Sequence, residues 1–172
     1  MLKRNGLRLL TPGEIRLAKE IFGHSIQYHR VWVHHGSYLP FGLQEDNTAI
    51  TPDGEMWFET HIYRDDYSCE TIDLKHLFLH EMMHVRQHQR GMNVRIRGLT
   101  SWVVSYEYDL NQGLLSRYSM EQQASIVADY WLLINSLYGK YQNIINYSGK
   151  NRKESDALLF GKYKVILQRF PL

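Results

Sequence analysis

The sequence has few cysteines, no long apolar run and little net charge, and each shortage excludes a class of protein. Cys69 is the single cysteine, so no intramolecular disulfide can form and the fold does not depend on an oxidising compartment. The formal charge of +2 comes from scattered side chains without a basic stripe, which argues against a nucleic-acid partner. No segment is long and apolar enough to span a bilayer as a helix.

The N-terminus also lacks the pattern of a secretory signal. Lys3 and Arg4 are not followed by an apolar stretch, so we expect synthesis in the cytoplasm without a signal peptide. If the protein acts outside the cytoplasm, another machine must carry it there. No repeat, low-complexity tract or linker interrupts the chain, and residues 1–172 are predicted to form a single domain.

The first third of the chain predicts one helix and several strands. Thr11 is a suitable N-cap for a helix that ends at Gly23. Residues 28–34 are rich in β-branched and aromatic side chains and predict a strand. The turn sequence TPDG at residues 51–54 separates two apolar runs and predicts a hairpin between residues 48 and 58.

The rest of the chain is mainly helical in pattern. We predict a helix from about residue 71 to about residue 90 and another from about residue 119 to about residue 139. For residues 155–170 we expect a short helix followed by a strand at residues 163–167. Strands early and helices late indicate an α+β fold with a small antiparallel sheet.

The run HEMMH at residues 80–84 is the motif with the clearest chemistry. Histidines four residues apart on a helix lie roughly 40° from each other around its axis and can bind one metal ion. Glu81 lies close enough to reach a water molecule on that ion and to act as a general base. The pattern predicts a catalytic zinc site with His80 and His84 as ligands and peptide-bond hydrolysis as the reaction.

A catalytic zinc requires a third protein ligand and one open position. A metzincin would need glycine where this sequence has Gln87 and histidine where it has Arg90, so that class is excluded. The remaining common solution is a glutamate from a later helix, and Glu121 and Glu107 are the candidates. Glu121 is favoured because small residues at positions 124, 125 and 128 lie within roughly 60° of it and permit close helix packing.

Other side chains are weaker candidates. Asp129 is a candidate for orienting a ligand histidine, although the aspartate with that role usually lies one turn after the glutamate, where this chain has Ser125. Several histidines and tyrosines are candidates for contacting substrate or a developing oxyanion, namely His34, His35, His88, Tyr106, Tyr108 and Tyr118.

Four motifs in this order resemble a known family. They are LTPGE at residues 10–14, NTAITP at 47–52, HEMMHV at 80–85 and EQQA at 121–124. Together they resemble the zinc metallopeptidase domain at the C-terminus of some VgrG spike proteins of bacterial type VI secretion. Stand-alone relatives of this domain are often labelled Vgr-related or Rhs-linked.

The resemblance implies a compact, zincin-like fold in which the HExxH helix packs on a glutamate-bearing helix. It implies a gluzincin-like toxin with zinc bound by His80, His84 and Glu121, and with Glu81 as the general base. It also implies association with a secretion spike, delivery into the periplasm of a competing bacterium, and an immunity protein in the producer. The substrate, a protein or a peptidoglycan peptide, stays open.

Two alternatives to the toxin also stay open. One is a non-catalytic component of a contractile injection particle that retains the metal motif. The other is a housekeeping peptidase or chaperone-like protein that stays inside the producing cell.

Overall fold

The computed structural model describes residues 3–40, 44, 47–94, 105–150 and 154–171. These residues form four strands and four α-helices. The strands are β1 (Leu7–Leu9), β2 (Trp32–His35), β3 (Ala49–Ile50) and β4 (Met56–Phe58), and the helices are α1 (Pro12–Phe22), α2 (Ile72–Gln89), α3 (Met120–Ile134) and α4 (Asp156–Leu167). The predicted α+β class is confirmed.

The small sheet has the strand order β1-β2-β4-β3 and is mixed. β3 and β4 form the predicted antiparallel hairpin, and β1 is antiparallel to β2. β2 and β4, however, are parallel, with Val33 beside Met56. The expectation of an antiparallel sheet was therefore wrong, because the chain reverses direction twice between β2 and β4, once before β3 and once after it.

Capping boxes fix the first residues of α1 and α3. Thr11 Oγ1 accepts a hydrogen bond from the Glu14 amide at 3.0 Å, and the Glu14 carboxylate accepts one from the Thr11 amide at 2.9 Å. Ser119 and Gln122 make the same reciprocal pair at the start of α3. Both starts agree with the sequence prediction, and the second one places Glu121 in the first turn of α3.

α2 and α3 pack against each other in an antiparallel arrangement at the centre of the domain. Every residue from 123 to 133 of α3 is buried, and so is the stretch 78–87 of α2. Phe78 of α2 stacks on Tyr67, whose ring in turn contacts Phe58 of β4. The core therefore lies between the helix pair and the sheet, and each large side chain buried there contributes about 1.5–3 kcal/mol.

The C-terminal segment differs from the prediction. Residues 163–167, expected as a strand, belong to α4, and α3 ends at Ile134 instead of near residue 139. Tyr163 and Val165 favour a strand locally, but helical spacing buries Leu159, Tyr163 and Ile166 on one face. Tertiary packing thus overrides the local preference. None of the helices in the described ranges is long and apolar enough to cross a membrane.

Candidate metal centre

His80, His84 and Glu121 meet where the C-terminal half of α2 faces the first turn of α3. The Nε2 atoms of His80 and His84 lie 3.2 Å and 3.1 Å from Glu121 Oε2. One ligand atom from each of the three residues lies within 4.8 Å of the other two. The three predicted ligands therefore converge on one point.

The sequence explains why the carboxylate reaches the histidines. Ala124, Ser125 and Ala128 are fully buried on α3, which packs against α2. Small side chains at these positions permit a close approach of packed helices. Glu121 lies one turn before Ser125, and its side chain remains 15% exposed. The centre is thus at the edge of the core, where solvent can reach it.

The three side chains are strongly coupled by charge. Burial alone lowers the pKa of His84, but the hydrogen bond and the negative charge of Glu121 outweigh it, and the pKa is raised to about 9. Burial raises the pKa of Glu121, yet the hydrogen bonds from His80 and His84 hold it well below the usual range of a carboxyl group. An ionised Glu121 is the form that binds a cation.

The donor set fits a divalent transition metal. Two imidazole nitrogens and one carboxylate oxygen form a common ligand set of catalytic zinc sites, which keep a fourth position for water. All three ligand atoms already point toward one another, so little rearrangement is needed to bind an ion. The observed side chains are therefore suited to a metal such as zinc.

Glu81 lies beside the ligand histidines and is held by the β3–β4 hairpin. Its Oε2 atom accepts a hydrogen bond from the Thr51 hydroxyl at 2.6 Å, and both side chains are buried. Thr51 directly follows β3, and Gly54 lies against His88 of α2, where a side chain would collide with the imidazole. The hairpin thus contacts α2 at two points and orients the carboxylate.

A glutamine that the sequence pattern did not assign to the site also lies at it. Gln87 Oε1 lies 2.8 Å from His84 Nδ1, and Gln87 Nε2 donates to the Met120 carbonyl at 3.0 Å. The signal in the sequence was its spacing, since residue 87 lies three positions after His84 on the same face of α2. Gln87 is therefore part of the support for a metal ligand.

Asp129 does not orient a metal ligand. Its Oδ1 atom lies 2.7 Å from Nε2 of His76, one turn before His80. Its Oδ2 atom accepts hydrogen bonds from the Tyr108 hydroxyl at 2.7 Å and from the Asn146 amide at 2.9 Å. The carboxylate is fully buried. The suggested role beside His80 or His84 was wrong, because two turns of α3 carry Asp129 past the metal centre.

Glu107, the alternative third ligand, is exposed, and its carbonyl oxygen accepts a hydrogen bond from Gln122. Of the three tyrosines, Tyr106 lies nearest the centre, with its ring centroid 5.8 Å from that of His80. Partial burial and the charges of Glu121 and Glu81 raise the pKa of Tyr106 to about 12. The Tyr108 hydroxyl already donates a hydrogen bond to Asp129.

The remaining candidates lie elsewhere. Tyr118 accepts a hydrogen bond from the Gln112 amide. His34 stacks on Trp57 and lies 2.6 Å from a carboxylate oxygen of Glu55. His35 stacks on Tyr63. None of these contacts joins the three residues to the candidate metal centre.

The fold and the site together define a class, namely an α+β domain in which an HExxH helix and a glutamate-bearing helix form a His-His-Glu candidate metal site. The chain is 38% identical over 133 residues to the type VI secretion system spike protein VgrG2b of Pseudomonas aeruginosa. This match covers 73% of the chain and 13% of the length of the spike protein.

A solved structure agrees with the sequence match. The effector domain of Pseudomonas aeruginosa VgrG2b superposes with a TM-score of 0.69 at 36% identity, over 79% of each chain. The chain therefore belongs to the family of the VgrG2b effector domain, and the resemblance seen in the sequence is confirmed. No family model matches the chain.

Proposed function

We propose that the protein is a zinc-dependent metallopeptidase that acts as an antibacterial effector of type VI secretion. The observation that carries this proposal is the convergence of His80, His84 and Glu121 on one point beside a buried Glu81. The relationship to an effector domain supports the biological setting. The histidine and glutamate ligands would hold the ion. When bound, zinc would lower the pKa of a coordinated water and polarise the substrate carbonyl.

Glu81 supplies the proton transfer in this proposal. The Thr51 hydroxyl occupies one carboxylate oxygen, which leaves the other to accept a proton from the attacking water. Glu81 then delivers this proton to the amine that leaves when the peptide bond breaks. The burial of Glu81 keeps its carboxylate in one orientation, so the proton acceptor is in place before substrate binds.

Tyr106 is the side chain best placed to assist at the carbonyl. It is 44% exposed at the mouth of the centre, beside the ring of His80. A phenol in this position can donate a hydrogen bond to the oxygen of a substrate carbonyl as negative charge develops there. Tyr108 and Tyr118, the other two tyrosines considered, already use their hydroxyls in contacts within the protein.

The biological setting that we infer follows from the relationship to the effector domain of VgrG2b. A peptide or protein substrate in the periplasm of a competing cell, loading onto a secretion spike, and a cognate immunity protein all belong to this proposal. The charge of +2 gives no reason to invoke a nucleic acid.

The test of the metal is elemental analysis of the purified protein. We expect one zinc per chain in the parent and in Glu81→Gln, because Glu81 is not a ligand, and none in His84→Ala. A parent protein that holds no zinc after dialysis against micromolar zinc would contradict the proposal.

The test of the activity is growth of a heterologous bacterium that exports the domain to its periplasm. We expect the parent to inhibit growth and Glu81→Gln, with zinc retained, to be harmless. Toxicity that persists in Glu81→Gln would contradict peptidase chemistry and favour the non-catalytic component. Growth inhibition that occurs only when the domain stays in the cytoplasm would contradict periplasmic action.

A further inference from the structure

We propose that Gln87 is a positioning residue that fixes the tautomer and the ring orientation of His84 for metal binding. This inference rests on the proposed metal site at His80, His84 and Glu121. It assigns a role to a buried amide that belongs neither to the ligand set nor to the proton transfer.

The orientation of the Gln87 amide is set by a backbone carbonyl. Gln87 Nε2 lies 3.0 Å from the carbonyl oxygen of Met120, which can only accept a hydrogen bond. The same nitrogen lies 3.2 Å from Gln123 Oε1. Gln123 is oriented in turn, because its Nε2 atom donates to the Tyr118 carbonyl at 2.9 Å. Two carbonyls at the start of α3 therefore determine which end of Gln87 is the nitrogen.

The amide oxygen of Gln87 must then face His84. It lies 2.8 Å from His84 Nδ1 and, as an amide oxygen, it can only accept. Nδ1 must carry the hydrogen in this contact. His84 Nε2 donates to Glu121 Oε2 at 3.1 Å in this structure, so Nε2 is the nitrogen that would give up its hydrogen and offer its lone pair to an ion, while Nδ1 keeps its hydrogen on Gln87. The chain of amides thus directs the metal-binding lone pair of His84 into the centre.

Burial makes this arrangement rigid. Gln87 is 1% exposed and Gln123 is 7% exposed, so neither amide can exchange its partners for water without cost. Because Met120 immediately precedes Glu121, Gln87 also ties His84 to the turn that carries the third ligand. One side chain therefore holds two of the three ligands relative to each other.

Three variants separate this role from ordinary packing. Gln87→Met removes the acceptor and the donor, Gln87→Glu keeps an acceptor for His84 but loses the donor, and Gln89→Met is the matched control. Gln89 lies on the same helix but accepts from the Gln27 amide, away from the centre. The measurement is the Zn²⁺ dissociation constant by competition with a chelating dye.

We expect Gln87→Met to weaken zinc binding by about 10- to 100-fold, the usual cost of losing the partner of a metal-bound histidine. Gln87→Glu should restore binding to within about threefold of the parent, since a carboxylate accepts from Nδ1 as well. Gln89→Met should equal the parent. The inference would be overturned if Gln87→Met bound zinc as tightly as the parent. It would also be overturned if Gln87→Glu bound zinc as weakly as Gln87→Met.

A second measurement uses only the parent protein, so it tests the role of Gln87 even if a variant fails to fold. Long-range ¹H–¹⁵N NMR of the zinc-loaded parent should show the His84 proton on Nδ1 and the metal on Nε2. Zinc on Nδ1 overturns the role of Gln87 but leaves the proposed metal site intact. A parent that binds no zinc overturns both.

Discussion

α2 and α3 bring histidine and carboxylate together twice, and the two meetings differ in how many partners the carboxylate has. At the closed end, fully buried Asp129 contacts His76, Tyr108 and Asn146. At the open end, Glu121 is partly exposed and faces His80 and His84. The same two helices therefore form two different histidine–carboxylate contacts. The Asp129 carboxylate has three partners and is closed off from solvent, whereas Glu121 faces two histidines at a site that solvent can reach.

The difference shows what a candidate metal site requires beyond ligand types. At the closed end both oxygens of Asp129 already accept hydrogen bonds from within the protein, and His76 is the one histidine among the described residues that contacts it. At the open end two imidazoles share one carboxylate oxygen. We infer that the closed end holds the helices together, whereas the open end is suited to bind an ion. Three changes test this division.

The largest effect on stability is expected at the closed end. Asp129→Ala leaves the groups that it bound without an acceptor, so the free energy of unfolding of the metal-free protein should fall by about 3–5 kcal/mol. Urea denaturation measures this value. Asp73→Ala, an exposed aspartate in the first turn of α2, should cost no more than about 1 kcal/mol. Equal losses in the two variants would remove the distinction between the ends.

The next effect is expected at the open end and in metal affinity. Glu121→Ala removes a ligand, so zinc binding should weaken by more than about 100-fold, beyond the cost of losing an outer partner. The metal-free protein should lose less stability than in Asp129→Ala, because Glu121 is partly exposed. Glu107→Ala is the control and should bind zinc like the parent. Loss of zinc in Glu107→Ala would reverse the assignment of the third ligand.

The smallest effect sharpens the account of the closed end. Tyr108→Phe removes one of the donors to Asp129 and should lower the free energy of unfolding by about 1–2 kcal/mol, with zinc affinity unchanged. Tyr118→Phe removes a hydroxyl that accepts a hydrogen bond from the Gln112 amide and should cost less. A change in zinc affinity in Tyr108→Phe, measured by dye competition, would show that the two ends are coupled.

Local patterns in the sequence predicted that His80, His84 and Glu121 would lie together at the open end, as they do. The HExxH spacing places His80 and His84 on one helix face, and the small residues after Glu121 indicate close packing on that helix. The capping box at Ser119 fixed the start of α3. Each of these features depends on residues within about two helical turns. Over that range the helical period determines the direction in which each side chain projects.

The closed end could not be predicted in the same way. The partners of Asp129 lie at positions 76, 108 and 146, and nothing in the local sequence of any of them indicates the others. The parallel pairing of β2 and β4 also joins residues that are far apart in sequence, so the local pattern of each strand does not indicate its partner or its direction. In α4, the burial of Tyr163 against Tyr130 decided between helix and strand.

The candidate centre takes its parts from three separate stretches of the chain. Thr51 comes from the hairpin, His80 and His84 from α2, and Glu121 from α3. Contacts between residues so far apart in sequence form only when the chain closes large loops. An unfolded chain therefore carries the ligands but no centre. Any chemistry at this site therefore requires the folded domain.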